Sequence, residues 1–186
     1  NAEVEFKYTT SATIIPDPET VTDWDNERTF RVTSYNGDAR EYAYKVVKSE
    51  IESDGDVELK TTEEVASFAA TKTTVVKGNL IIGSDAEEAE KITDISALAS
   101  LKEVTGNIVI RNSYNGADLT GLENIVSAGG LQVGSADVAS KATELHMISM
   151  KALETLSGDI SVYNDQVTYV LFEKLATIGG SVMFNA

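Results

Sequence analysis

Apolar residues recur along this chain in pairs two positions apart, each pair introduced by a glycine. Leu80 and Ile82 follow Gly78, and Ile108 and Ile110 follow Gly106. Leu131 and Val133 follow Gly129, Ile160 and Val162 follow Gly158, and Val182 and Phe184 follow Gly180. Alternation of this kind marks a strand with one buried face. The glycines lie 22 to 29 residues apart, a period that signals a solenoid whose repeats bury their apolar faces against each other. A second pattern precedes the later strands. Leu98, Leu101 and Val104 stand three apart, as do Leu119, Leu122 and Ile125, then Met150, Leu153 and Leu156, then Phe172, Leu175 and Ile178. Spacing of three predicts a helical or 3₁₀ turn with one inward edge. Each repeat is then a turn, a glycine corner that bends the backbone into the strand, and a short strand. The five strands stack in parallel, with the named pairs pointing inward.

The outward positions follow from the same alternation. One column is Asn79, Asn107, Gly130, Asp159 and Ser181. The middle column is Ile81, Val109, Gln132, Ser161 and Met183, and the third is Gly83, Arg111, Gly134, Tyr163 and Asn185. Arg111, Gln132, Tyr163 and Met183 mix aromatic, apolar and hydrogen-bonding groups on one face, and Tyr114 just past the second strand extends it. Aromatic and Arg side chains commonly carry interface energy, so these five are the candidate ligand-binding residues. The alternative is that they only cover a solvated or domain-packed face.

Upstream the pattern changes. Val4, Phe6 and Tyr8 alternate with charged residues, as in a half-buried strand. "TIIPDPET" carries both prolines and predicts a loop. Phe30 and Val32 alternate in one strand, Tyr42, Tyr44 and Val46 in another, and Asn36–Asp38 between them reads as a hairpin turn. Residues 51–60 read as a polar connector. In "TTEEVASFAA", Thr61 and Glu64 fit a capping box, which predicts a short helix capping the solenoid. The domain expectation is therefore residues 1–50, a connector at 51–60, and a solenoid over 61–186.

"VVKGNLIIG…ITDISALASLKEVTGNIVIRN…LTGLENIVSAGGLQV" resembles the receptor L domain, the leucine-rich right-handed β-helix of receptor ectodomains. The resemblance spans residues 61–186. It implies a non-catalytic domain that binds a protein or serves as scaffold. Upstream, "DWDNERTFRVTSYNGDAREYAYKVVK" resembles the last part of an immunoglobulin-like domain of gut-bacterial surface lipoproteins, over about residues 11–48. Together they imply a mainly β protein, a sandwich-like segment followed by a right-handed β-helix. They place it at the bacterial cell surface, anchored as an outer-membrane lipoprotein.

Composition narrows the partners. The chain has 15 Lys+Arg against 30 Asp+Glu, a net charge of −15, spread over all segments. Such a surface repels phosphate backbones and anionic membranes, which argues against nucleic acid. There are no cysteines, so disulfides and thiolate sites are excluded. No apolar run is long enough to span a bilayer.

The catalytic inventory is thin. His146 is the only histidine and, between apolar neighbours, reads as a partly buried structural residue. "SDGD" at Ser53–Asp56 lacks the spaced set of a calcium loop, and "SDAEEAE" at Ser84–Glu90 reads as an exposed acidic loop. No phosphate-binding frame is present. The outward columns hold one carboxylate and one arginine, too few for a polysaccharide-cleaving site. The expectation is a binding or adhesion module without cofactor or metal, whose ligand is a protein or glycan. A structural spacer is the alternative. An open end after "VMFNA" exposes core and strand edge, so a further segment or self-association is expected there.

Overall fold

The computed structural model describes residues 11–22, 26–45, 50–136 and 144–184. Val4, Phe6, Tyr8, Trp24, Val46 and Asn185 lie outside the described residues. The fold is mainly β, and the chain divides into two units, Asn1–Ser49 and Glu50–Ala186.

The first unit is a three-stranded antiparallel sheet of β1 (Thr13–Ile15), β2 (Arg28–Thr33) and β3 (Ala39–Tyr44), in that order. The expected hairpin is β2–β3, with Phe30 opposite Tyr42. Its loop closes through Gly37 N–H donating to the Ser34 carbonyl at 3.0 Å, and Gly37 takes a φ of +89°. That left-handed position is where a three-residue hairpin loop needs glycine. The loop expected at "TIIPDPET" begins later than expected. Thr13–Ile15 pairs with β2 as a strand, and Pro18–Thr20 forms one 3₁₀ turn whose first N–H groups are met by Asp17. Proline restricts the chain only from Pro16 onward, leaving three β-prone residues free to pair.

The second unit is built on parallel strands. β4 (Val57–Leu59), β6 (Leu80–Ile82), the second half of β7 (Glu103–Ile110) and of β8 (Ser127–Val133), β11 (Ile160–Val162) and β14 (Val182–Phe184) lie side by side in that order. A companion row is formed by β5 (Val75–Val76), the starts of β7 and β8, β10 (Thr155–Leu156) and β13 (Thr177–Ile178). A separate small sheet pairs β9 (Met147–Ser149) with β12 (Tyr169–Leu171) in parallel. The stretch read as a polar connector thus contributes β4 and belongs to the second unit. Its two apolar residues, Val57 and Leu59, are enough to continue the inward row above Leu80 and Ile82.

The inward pairs from Leu80 to Val162 are buried, as the alternation requires. Val182 and Phe184 keep the register of Ile160 and Val162, yet each is 52% exposed. The residues spaced three apart are also buried through Leu156. They form successive tight turns: Leu101 N–H donates to the Leu98 carbonyl at 3.0 Å, Leu122 to Leu119 at 3.0 Å, and Leu153 to Met150 at 3.3 Å. Of these turns, Ser96–Leu98 is a 3₁₀ helix. The capping box is present: Thr61 Oγ1 accepts from Glu64 N–H at 3.1 Å, and the Glu64 carboxylate accepts from Thr61 N–H at 3.2 Å. It starts α1 (Thr62–Ala70), which buries Val65 and Ala69 in the core.

The repeated glycine has a different job from the one expected. None of the five has a positive φ. They stack as a column between the two strand rows, with Gly106 N–H donating to Gly78 O at 2.9 Å and Gly180 to Gly158 at 3.1 Å. A Cβ on Gly129 would stand 2.5 Å from Gly106 O, and one on Gly158 would stand 2.8 Å from Gly129 O. Close approach of neighbouring backbones, not bending, excludes a side chain here.

Candidate ligand-binding face

The outer face of the main sheet is built by the residues between the inward pairs. In register they run Glu58, Ile81, Val109, Gln132, Ser161 and Met183. The column expected from the sequence is therefore contiguous, with Glu58 added at its start. Its exposure is uneven. Val109 is only 7% exposed between Ile81 and Gln132, while Met183 is 40% exposed. Gln132 donates its amide N–H to the Gly134 carbonyl at 2.9 Å, which holds the side chain along the sheet.

Arg111 sits one position beyond Ile110, where its N–H continues the ladder by donating to Ile82 O at 2.8 Å. Its guanidinium donates to Asp85 at 2.6 Å, and Asp85 also accepts from Asn112 N–H at 3.2 Å. Both side chains of the pair are partly buried. The loop read as an exposed acidic stretch thus has one member turned onto the sheet edge, and Arg111 already has a carboxylate partner. Glu90 of the same loop accepts the Thr62 N–H at the start of α1 at 2.9 Å. That bond holds its carboxyl below the usual carboxylate range. An acidic group suits that place, because the first N–H groups of a helix lack intrahelical acceptors.

Tyr163 continues β11 beside Gly134 and is half-buried, its N–H donating to Val133 O at 2.7 Å. Tyr114 does not extend the face. It is 1% exposed, and its hydroxyl donates to the Asp118 carbonyl. Burial raises its phenol well above the usual tyrosine range. It lies past the end of a strand, where alternation no longer tells inside from outside, and its ring fills the core. The face that remains joins Gln132, Ser161, Tyr163 and Met183, with Arg111–Asp85 at its margin.

The first outward column is committed to the fold. Asp56 accepts from Asn79 N–H at 2.7 Å, the Asn79 amide oxygen accepts from Asn107 N–H at 2.8 Å, and Asp159 accepts from Ser181 N–H at 2.6 Å. Each carbonyl or carboxylate oxygen thus satisfies a backbone donor in the following repeat. The recurring "GN" and "GD" after the column of glycines was the signal for this. "SDGD" is the start of that ladder, and the hydrogen bonds from Asn79 lower the pKa of Asp56. His146 is exposed rather than partly buried, with Nδ1 3.2 Å from the Gln166 carbonyl. Among the described residues, no group of three or more His, Asp or Glu is placed to hold a metal ion. No helix among them is long and apolar enough to cross a membrane.

Residues 72–144 match the family model of the receptor L domain. That segment runs from the end of α1 past β8 and includes Arg111, Tyr114 and Gln132. The receptor L domain is a non-enzymatic, ligand-binding family. Comparison with curated proteins and with solved structures found no match.

Proposed function

We propose that this chain is a non-catalytic binding module of the bacterial cell surface, an L-domain-like right-handed β-helix that presents its main sheet to a protein or glycan. An immunoglobulin-like segment precedes the β-helix, and the whole is carried by an outer-membrane lipoprotein. The observation that carries the reading is the register of Gln132, Ser161 and Met183, which with Tyr163 makes one contiguous face at the more exposed end of the sheet. The match to a ligand-binding family over 72–144 supports it.

The test is a label-free binding screen of the chain against extracellular-matrix proteins, mucin, and dietary and host glycans, with a Tyr163→Ala/Met183→Ala variant alongside. A hit lost in the variant supports the assigned face. A hit retained in a folded variant overturns the face. The absence of any hit favours the spacer role, which the tied-down Arg111 and Asn79 columns would equally serve.

A further inference from the structure

A second surface has the makings of a site. Beside the small β9–β12 sheet lies a cavity of about 300 Å³, lined among others by Asp118, Glu123, Met147, Ser149 and Lys151. That volume is at the lower end of small-ligand clefts and suits one ring rather than an extended chain. Its walls are held in place. Asp118 accepts from Thr120 N–H at 2.8 Å through one carboxylate oxygen, and Glu123 accepts from Gly121 N–H at 2.5 Å through one of its own. The second oxygen of each has no hydrogen bond among the described residues and is left as a charged acceptor. Lys151 lies 3.9 Å from Glu173, too far for a tight pair, and keeps donors to offer.

The other half of the surface is apolar. Ile148 is buried, so Met147 and Ser149 on either side of it face outward. Tyr169 stands directly beside Met147 in the parallel register and is 51% exposed. A flat aromatic face therefore adjoins a pocket that holds two anionic acceptors and one cationic donor. We propose that this is a saccharide-binding site for a single neutral pyranose ring, whose C–H face rests on Tyr169 and Met147. Its hydroxyls donate to Asp118 and Glu123 and accept from Lys151. Charge-assisted bonds of this kind are the strong ones for a neutral ligand. A uronic acid or sulfated sugar would face two carboxylates on a chain of net charge −15. A simple amine lacks the C–H face that would rest on Tyr169 and Met147. The site lies on a different sheet from the face assigned above and does not depend on it.

The three methionines make the test direct. Met147 lines the cavity, Met183 marks the main sheet, and Met150 is fully buried. The chain labelled with ¹³C at the methionine methyls is titrated with the methyl glycosides of glucose, galactose, mannose and N-acetylglucosamine, with glucuronic acid and methylamine as charged counterparts. The expected result is a saturable shift of the Met147 signal with a neutral glycoside, leaving Met183 and Met150 unmoved. Tyr169→Ala and Asp118→Asn each weaken the response at least tenfold while Met150 keeps its position as a sign of an intact core. Movement of Met183 alone supports the main-sheet reading and overturns this one. No Met147 shift with any neutral glycoside overturns it, as does an equal response to glucuronic acid or methylamine, or an undiminished response in Tyr169→Ala.

Discussion

The side-chain oxygen of Asn79 accepts the backbone N–H of Asn107, 28 residues later, at 2.8 Å. The bond joins two successive repeats where the strand rows are interrupted and no backbone acceptor is in line. Asn79→Ala removes the acceptor and leaves that donor to water or to nothing. The expected cost is about 1 kcal/mol. Asn79→Asp keeps an oxygen in place but sets a second carboxylate against Asp56, to which the Asn79 amide donates at 3.2 and 3.3 Å, so it costs at least as much. Urea unfolding of both variants beside the parent checks the order, and an Asn79→Ala variant as stable as the parent would show that the ladder contributes nothing.

A harsher change is Gly106→Ala. The added Cβ would stand 2.7 Å from both the carbonyl carbon and oxygen of Gly78 and 2.7 Å from Asn79 Oδ1. Two of those atoms are backbone and cannot swing away. Forcing such overpacking costs on the order of 1–3 kcal/mol, and the thermal midpoint should fall accordingly. Gly37→Ala in the hairpin is the informative comparison. It meets no atom within 4 Å but sits at a φ of +89°, so its cost is conformational and confined to the first unit.

Much of this architecture was legible because inward residues repeat at two separations, two along a strand and three through a turn. Both separations report burial directly, and the pairs from Leu80 to Val162 show it. What escaped depends on relations between repeats, which no local period records. The Arg111–Asp85 pair spans 26 residues, and nothing near "SDAEEAE" marks which of its acids turns inward. The glycine column was visible, but its cause, one backbone lying against the next, exists only once the repeats are stacked. β4 was hidden because Asp54, Asp56, Glu58 and Lys60 surround its two apolar residues. Tyr114 was misplaced because it lies in a corner, and the β9–β12 cavity draws its residues from two separated stretches.

Acid should weaken the second unit. Asp56, Glu90 and Asp94 each accept backbone N–H bonds, and those bonds are the largest cause of a pKa held below the ordinary 3.8 of aspartate or 4.5 of glutamate. A carboxylate with a depressed folded pKa contributes stability that is present above its unfolded value. That contribution is lost as pH falls through the lower folded value. Thermal midpoints recorded from pH 7 down to pH 2 at constant ionic strength should be flat until about pH 4–5 and then decline. Replacing Asp56, Glu90 and Asp94 together by Asn or Gln should lower the plateau and shallow the decline. A decline of unchanged steepness would assign the acid sensitivity to other groups.

Tyr114 and Tyr163 should separate cleanly under substitution. Tyr114→Ala empties a site that is 1% exposed and should cost about 3–5 kcal/mol, as large-to-small changes at buried aromatics do. Tyr114→Phe keeps the ring but takes away the hydroxyl donor to Asp118, leaving that carbonyl without this bond, for a loss of about 1 kcal/mol. Removing the phenol has a second consequence. Because burial raises the pKa of Tyr114 above the ordinary 10.0, the folded state holds the proton after the unfolded chain has released it. Stability contributed by the neutral phenol is therefore present below pH 10 and lost above it. Tyr114→Phe should flatten the alkaline limb of the stability profile, and Tyr163→Ala, at a half-buried outer position, should lower stability less than Tyr114→Ala. Denaturant unfolding at pH 7 and pH 11 measures both effects. If Tyr163→Ala proved the more damaging of the two, the inner and outer sides of β11 would have to be exchanged.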